Sequence, residues 1–286
     1  MRKSLTPWLL ILGAFAILFF DDIFPTLYAF YISLFVHSMI SDVPPRFTYL
    51  TNYVNLLRDP DINSSFLRGF SFSILTTVLS LILGLGIAFL MAKDFRGNKL
   101  FRVIVCLPLA IPYITVGSVW KLMCNPNIGV IPYFLRTLGI VYDISSDGFQ
   151  AFITTVIIDL WHWTPLVALV LLAALTSISK SILEAAEIDG ATKLQKLKYI
   201  YLPLISSDIL FVILIRLMDS LKIFDEVWML TGGGPGTSTR YISIALYSIV
   251  LKRWDMGYGA AISMVFAYII IFLSWIMNKI LQVRRT

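Results

Sequence analysis

Long apolar stretches recur along this 286-residue chain, and they constrain its fold more than any other feature. One of them, GFSFSILTTVLSLILGLGIAFLMA, runs for 24 residues without a charge, and about 20 suffice for a helix to cross a bilayer. Lipid offers the backbone no hydrogen-bonding partner, so each crossing segment is a helix or part of a closed barrel. The alternating ten-residue segments of a barrel are absent. The sequence therefore predicts an all-α polytopic membrane protein.

We place six transmembrane helices along the chain. They cover residues 7–34, 66–92, 103–123, 149–175, 204–229 and 257–281. The connecting loops reach only about thirty residues, too short for a separate core, so residues 1–286 are expected to form a single transmembrane domain. The first stretch exceeds the apolar region of a signal peptide and no A-x-A cleavage site follows it, which favours an uncleaved first span.

Basic residues are divided unevenly between the two sides of this arrangement. Thirteen lie on the side of the N-terminus, namely Arg2, Lys3, Lys93, Arg96, Lys99, Arg102, Lys180, Lys193, Lys196, Lys198, Lys279, Arg284 and Arg285. Eight lie on the other side, spread over longer loops. Because cytoplasmic loops carry the excess of Lys and Arg, both termini and the loop at 176–203 are predicted to be cytoplasmic.

The loop at 176–203 contains an unusually polar stretch, EAAEIDGATKLQKLKYIYLPL. Its first part consists of good helix formers, and Gly190 is suited to end that helix in the left-handed conformation. Thr192 and Gln195 have the spacing of a capping box, which predicts a second helix, and Pro203 marks its end or the entry to the next span. The stretch is thus predicted to form two short helices joined at an angle.

Two roles remain open for this helix pair on physical grounds. It could be an amphipathic surface element whose lysines face lipid headgroups. Alternatively, Ala185 and Ala186 leave a shallow face on which another protein can approach, flanked by Glu184 and Glu187.

The spacing of residues in this stretch resembles a known signature. Glu184-Ala185-Ala186, Gly190, Ile200, Leu202 and Pro203 match the EAA-x3-G-x9-I-x-L-P pattern of permease subunits of binding-protein-dependent ABC importers. Leu107-Pro108, Asn125-Pro126 and the segment LTGGGP at 230–235 are similar to the carbohydrate-uptake branch, of the maltose F-type, trehalose and glycerol-phosphate permeases. The resemblance extends over almost the whole chain.

This resemblance implies a type I ABC importer permease fold and a coupling helix that docks on a cytoplasmic ATPase dimer. The implied ATPase-coupling residues are Glu184, Ala185, Ala186, Glu187, Asp189, Gly190, Leu202 and Pro203. It implies no catalytic residue and no cofactor in this chain, since the partner ATPase binds ATP and Mg. The other implied partners are a second permease of the G-type, forming a heterodimer, and an extracytoplasmic solute-binding protein. The implied location is the cytoplasmic membrane of a bacterium or archaeon.

Charged side chains within the spans mark a second candidate site, because charge inside a membrane is costly. Asp159, His162 and Trp163 are spaced i, i+3, i+4 and share a helix face, as do Arg216, Asp219 and Ser220. These faces could line a common water-filled cavity, or an ion pair of Arg216 with an aspartate could simply fasten the helices. The two roles do not exclude each other, and a metal site is not supported.

By resemblance to the maltose permease, counted from the EAA glutamate, the positions that face the sugar fall on Asp159, Trp163, Leu166, Arg216, Asp219, Ser220 and Ile223. With His162 these are the predicted substrate-pathway residues. The side chains differ from those of the maltose subunit, so a different sugar is expected, and glycerol phosphate, polyamine or another small polar solute remains an alternative. A membrane enzyme would need a nucleophile–base or metal set on facing spans, and a secondary transporter an internal repeat; neither pattern is present.

Overall fold

The computed structural model describes residues 6–40 and 43–285, so Arg2 and Lys3, used above for orientation, lie outside it. Within the described residues, four helices are long and apolar enough to cross a membrane: Ile11–Ser33, Pro60–Ala92, Gly148–Thr176 and Met256–Ile280. Two bent helix pairs raise this number to six if each pair is one span. The described chain is therefore mostly helical and multi-pass, as predicted, with four to six crossing helices and one short pair of β-strands.

The first compact unit comprises the described residues up to 64 together with 245–271. Its elements are α1 (Thr6–Leu18), α2 (Phe24–Ser33), β1 (Phe35–Val36), β2 (Arg46–Phe47) and α3 (Thr51–Arg58), with a π-helical turn at Phe19–Ile23. The strands pair antiparallel, with Phe35 opposite Phe47. The Asn52 amide donates to the carbonyls of Ser33 and Phe35, each at 2.8 Å, which ties α3 to the end of α2.

The second unit comprises residues 65–244 and the described part of 272–286. Its helices are α4 (Pro60–Ala92), α5 (Asn98–Cys106), α6 (Tyr113–Met123), α7 (Val130–Thr137), α8 (Gly148–Thr176), α9 (Lys180–Ile188), α10 (Lys193–Lys196), α11 (Leu202–Leu204), α12 (Ser206–Leu221) and α13 (Asp225–Thr231). Two further helices, α14 (Ile242–Tyr247) and α15 (Met256–Arg285), contribute residues to both units, as does α4, whose residues 60–64 belong to the first unit. Ala88, Ala168, Leu171 and Val212 form a buried apolar core between α4, α8 and α12.

The third predicted span, 103–123, is broken rather than continuous. Helix α5 passes into a 3₁₀ turn at Leu107–Ala110, and α6 then departs at an angle of 99°. Pro112 explains the break: the preceding Ile111 is extended, at φ −94° and ψ 127°, as expected for a residue before proline.

The fifth predicted span, 204–229, also departs from a single helix. A 70° bend separates Lys193–Leu204 from α12, and α12 itself ends at Leu221. A short non-helical link follows, in which Phe224 has φ −143° and ψ −65°, before α13 starts at Asp225. Asp225 and Glu226 lie in the first turn of α13, where negative charge complements the helix dipole. The apolar run alone gave no sign of this second start.

Candidate functional site

Helix α13 packs against α6 at very short range. A Cβ atom added at Gly117 of α6 would lie 2.6 Å from the carbonyl oxygen of Glu226 and 2.8 Å from the Cβ of Met229. Real Cβ atoms do not approach other atoms that closely, so only glycine fits here. Gly117 therefore allows α6 to contact the backbone of α13 at Glu226.

Arg216 on α12 forms a buried ion pair with Asp159 on α8, and each side chain is 1% exposed. The Arg216 Nε also donates to the Ser80 Oγ on α4 at 3.4 Å, while its Cζ lies 5.3 Å from the centre of the Trp163 ring. The Asp219 Oδ2 is 3.7 Å from the Arg216 Nη1. One guanidinium group thus connects three helices, as a buried charge requires if it is to be compensated.

A second buried pair lies next to the first. The His162 Nδ1 is 2.6 Å from the Glu226 Oε1, with side-chain exposures of 3% and 5%. The Tyr113 ring lies next to this pair, with its centre 5.0 Å from the centre of the His162 ring. It also stacks on the Trp163 ring, at a centre-to-centre distance of 5.9 Å and an interplanar angle of 24°. The pair links α8 to the first turn of α13, which begins just after the break that follows Leu221.

These groups surround a cavity of about 180 Å³, which we call the charged cavity. It is lined by Tyr113, Asp159, Trp163, Asp219, Ser220, Lys222, Ile223, Phe224, Asp225 and Glu226. Carboxylates, a hydroxyl, an ammonium and aromatic rings therefore meet in one space. This combination can hydrogen-bond and stack against a polyhydroxyl solute.

The structure brings five of the eight predicted substrate-pathway residues to this cavity: Asp159, Trp163, Asp219, Ser220 and Ile223. His162 and Arg216 do not line it, because His162 is buried against Glu226 and Arg216 is buried in its ion pair with Asp159. Leu166 lies about one helical turn beyond Trp163 and is also outside the lining. Both roles considered for the charged residues are therefore present: Asp159 forms an ion pair with Arg216, and it also lines the cavity.

Tyr113, Phe224, Asp225 and Glu226 were not among the predicted site residues. The signal for Glu226 was present, because adjacent acidic residues often begin a helix. Tyr113 follows Pro112, where a helix can restart.

The polar loop forms the two predicted short helices, which we call the elbow (residues 180–204). Gly190 has φ +74° between them, and the capping box of Thr192 and Gln195 is confirmed in both of its hydrogen bonds. Across the turn, the Lys196 Nζ lies 2.8 Å from the Glu187 Oε1. This hydrogen bond lowers the pKa of the Glu187 carboxyl and connects the two helices.

The predicted coupling residues all fall on the elbow, with different exposures. Glu184, Ala185, Glu187, Asp189, Gly190 and Pro203 are exposed, whereas Leu202 is half-buried and Ala186 is buried. The two alanines therefore do not share one open face as their adjacency indicated. Instead, Ile188 and Leu194 project on either side of Gly190, with 87% and 73% of their surfaces exposed. Exposed apolar side chains grouped in a polar segment are typical of a docking surface.

Residues 80–285 match the family described as the inner membrane component of binding-protein-dependent transport systems. The chain is 32% identical to the trehalose/maltose transport system permease protein MalF of Thermococcus litoralis, over 99% of this chain and 96% of the relative. It is 30% identical to the sulfoquinovosyl glycerol transport system permease protein SmoG of Agrobacterium fabrum, over 85% and 79% of the two chains.

The fold is also similar to a solved structure. A chain of a bacterial alginate ABC transporter, in complex with an alginate pentasaccharide-bound periplasmic protein, superposes with a TM-score of 0.80 at 20% identity. The match covers 95% of this chain and 93% of the other. The multi-pass fold, the family match and these relatives agree: the protein is a transport permease that belongs to the inner membrane components of binding-protein-dependent transport systems.

Proposed function

We propose that this chain is one permease subunit of an ABC importer that carries a sugar, as a disaccharide or oligosaccharide, across the cytoplasmic membrane of a bacterium or archaeon. In this proposal the chain has six spans with both termini cytoplasmic. ATP and Mg are bound by a separate ATPase dimer, and this chain carries no catalytic residue. The observation that carries the proposal is the 32% identity to a trehalose/maltose permease over nearly the full chain.

The elbow is the proposed contact with the ATPase. Its exposed Ile188 and Leu194 offer apolar surface to a soluble partner, and exposed Glu184 offers a charge beside them. The Lys196–Glu187 ion pair and the left-handed Gly190 hold the two helices together. A rigid elbow can transmit movement of the ATPase to α8 and α12, between which it lies in the chain.

The charged cavity is the proposed place of contact with the solute. Its volume of about 180 Å³ is below the roughly 300 Å³ at which pockets for drug-sized ligands begin. A disaccharide therefore needs further surface, which a second permease of the G-type would supply in a heterodimer. A solute-binding protein on the outer side would deliver the sugar.

The charges of the cavity favour a neutral solute over an anionic one. Asp159 is paired with Arg216, which also lies 3.7 Å from Asp219. The lining carries four carboxylates, Asp159, Asp219, Asp225 and Glu226, and one cation, Lys222. An anionic solute such as glycerol phosphate would meet this acidic surplus.

An uptake panel in cells tests this proposal. The whole transporter would be expressed in a host without its own sugar uptake and supplied with labelled trehalose, maltose, glycerol 3-phosphate or spermidine. We expect accumulation of at least one sugar and not of the other two solutes. Accumulation of glycerol 3-phosphate or spermidine alone would replace the sugar assignment. The Gly190→Pro variant is the control, since it keeps the cavity intact while breaking the elbow.

A further inference from the structure

A second, larger cavity of about 540 Å³ lies at the other end of α13, and we call it the glycine-turn cavity. Its lining includes Lys121 in the last turn of α6, Asn125 just after that helix, Ser145, Trp228, Gly232 and Gly234. Its volume lies within the roughly 300–1,000 Å³ of sites that enclose small-molecule ligands. It shares no lining residue with the charged cavity.

The turn that forms one wall is rigidly built. Gly232 and Gly233 have φ of +64° and +99°, which only glycine adopts without strain. The hydroxyls of Thr231 and Thr239 lie 2.6 Å apart, and the Thr239 hydroxyl also donates to the Gly234 carbonyl at 2.9 Å. The wall is thus preorganised, and binding against it would require little further ordering.

Helix α13 connects the two cavities. Phe224 lines the charged cavity and Trp228 lines the glycine-turn cavity, and their rings stack at 5.8 Å with an interplanar angle of 10°. Because the two residues are one helical turn apart, they form a continuous aromatic strip along the helix. A sugar ring that leaves one cavity would meet an aromatic surface leading to the other.

The polar groups of the glycine-turn cavity suit a polyhydroxyl ligand. The Asn125 Oδ1 accepts from the backbone of Asn127 at 2.9 Å, which fixes the side chain, and its amide nitrogen bonds to no group in the described part of the chain. Lys121 is exposed and forms no ion pair with any described residue. An amide donor, an ammonium and an indole ring in one space are the groups that bind sugar hydroxyls and sugar faces.

We propose that the glycine-turn cavity is a second solute subsite that holds a neutral sugar before it passes along Phe224 and Trp228 to the charged cavity. This inference rests on the proposed function, since it assigns a second position to the same solute.

Two adjacent serines provide a matched test. The Ser145 and Ser146 hydroxyls donate to opposite oxygens of the Asp143 carboxylate, at 2.5 and 2.8 Å, yet only Ser145 lines the cavity. Ser145→Cys and Ser146→Cys variants of the whole transporter, in membrane vesicles, would be labelled with a membrane-impermeant maleimide. Trehalose or maltose would be present or absent, and labelling of the wild-type chain, with its two native cysteines, would be subtracted.

We expect saturating sugar to slow labelling of the Ser145→Cys variant by about tenfold, because mass action leaves little of the site empty. Labelling of the Ser146→Cys variant should stay unchanged. Equal rates with and without sugar for the Ser145→Cys variant, or equal protection of both variants, would overturn the second subsite. Protection by the solute-binding protein without sugar would also overturn it, since a protein segment would then fill the cavity.

Uptake measurements separate this inference from the proposed function. Ser145→Trp, which fills the cavity, should raise the half-saturating sugar concentration for uptake, while Ser146→Trp should not. Unchanged uptake by the Ser145→Trp variant would contradict the subsite. A wild-type transporter that takes up no sugar would overturn the proposed function itself, whereas sugar uptake without protection would overturn only the subsite.

Discussion

The His162 Nδ1 lies 2.6 Å from the Glu226 Oε1, and this buried contact joins α8 to the first turn of α13. Helix α13 provides walls of both cavities, and its first turn is held by this pair and by the close approach to Gly117. The positions of the two cavities therefore depend on a few contacts around Glu226.

Removing one partner of this pair should destabilise the protein strongly. Glu226→Ala or His162→Ala is each expected to lower the free energy of unfolding by about 1–3 kcal/mol, the cost of leaving a buried hydrogen-bonding group without its partner. Thermal unfolding of the purified chain in detergent measures the change. The double variant should lose clearly less than the two single effects together; simple additivity would mean that the two side chains do not interact.

The Arg216–Asp159 pair has a structural and a proposed transport role, and paired variants separate them. Arg216→Ala should reduce the amount of assembled protein, because it leaves the buried Asp159 carboxylate uncompensated, at about 3–5 kcal/mol. The double substitution Arg216→Met with Asp159→Leu should restore assembly, since apolar residues of similar size are often tolerated there. Size-exclusion profiles measure assembly. Sugar uptake is expected to be lost in the Arg216→Ala variant and also in the double variant. Normal uptake by the double variant would mean that the pair only fastens helices.

The contact between α6 and α13 predicts a large effect of one methyl group. Gly117→Ala would push the added Cβ into the Glu226 backbone and is expected to cost about 1–3 kcal/mol through overpacking. Gly86→Ala is the matched control, because a Cβ there meets no atom within 4 Å and alanine favours the helix. Unfolding temperatures of the two variants measure the difference, and equal temperatures would argue against the close packing.

The turn at Gly190 predicts that the elbow requires a residue that can adopt a positive φ at this position, and not specifically a residue without a side chain. A Cβ at Gly190 meets no atom within 4 Å, but φ is +74°, so Gly190→Ala should strain the turn by about 1–2 kcal/mol. Gly190→Asn should be tolerated better, because asparagine visits this conformation more readily. Co-purification of the ATPase with each variant is the measurement. Equal capture by the Ala and Asn variants would show that the left-handed turn is not needed.

The sequence predicted what depends on local chemistry. The long apolar runs, the Gly190 turn and the Thr192 capping box are visible in short windows, and the structure contains all of them. The pairing of Arg216 with Asp159 was also open to prediction, because two buried opposite charges in neighbouring spans require partners.

The breaks in the third and fifth spans were harder to predict. A proline within an apolar run can kink a helix or end it, so the sequence does not give the 99° angle that follows the extended Ile111 before Pro112. The first turn of α13 contains Glu226, whose partner His162 lies 64 residues away in the chain. Apolar periodicity carries no information about such a long-range contact.

The most direct test of the account is sugar accumulation in proteoliposomes that contain this chain with its second permease and ATPase. Labelled trehalose and maltose would be offered with the solute-binding protein outside, and ATP would be enclosed or omitted. We expect accumulation only with enclosed ATP, and its loss in the Gly190→Pro variant although ATP hydrolysis by the ATPase persists. Accumulation that is equal without ATP, or unaffected by Gly190→Pro, would contradict a sugar importer driven through the elbow.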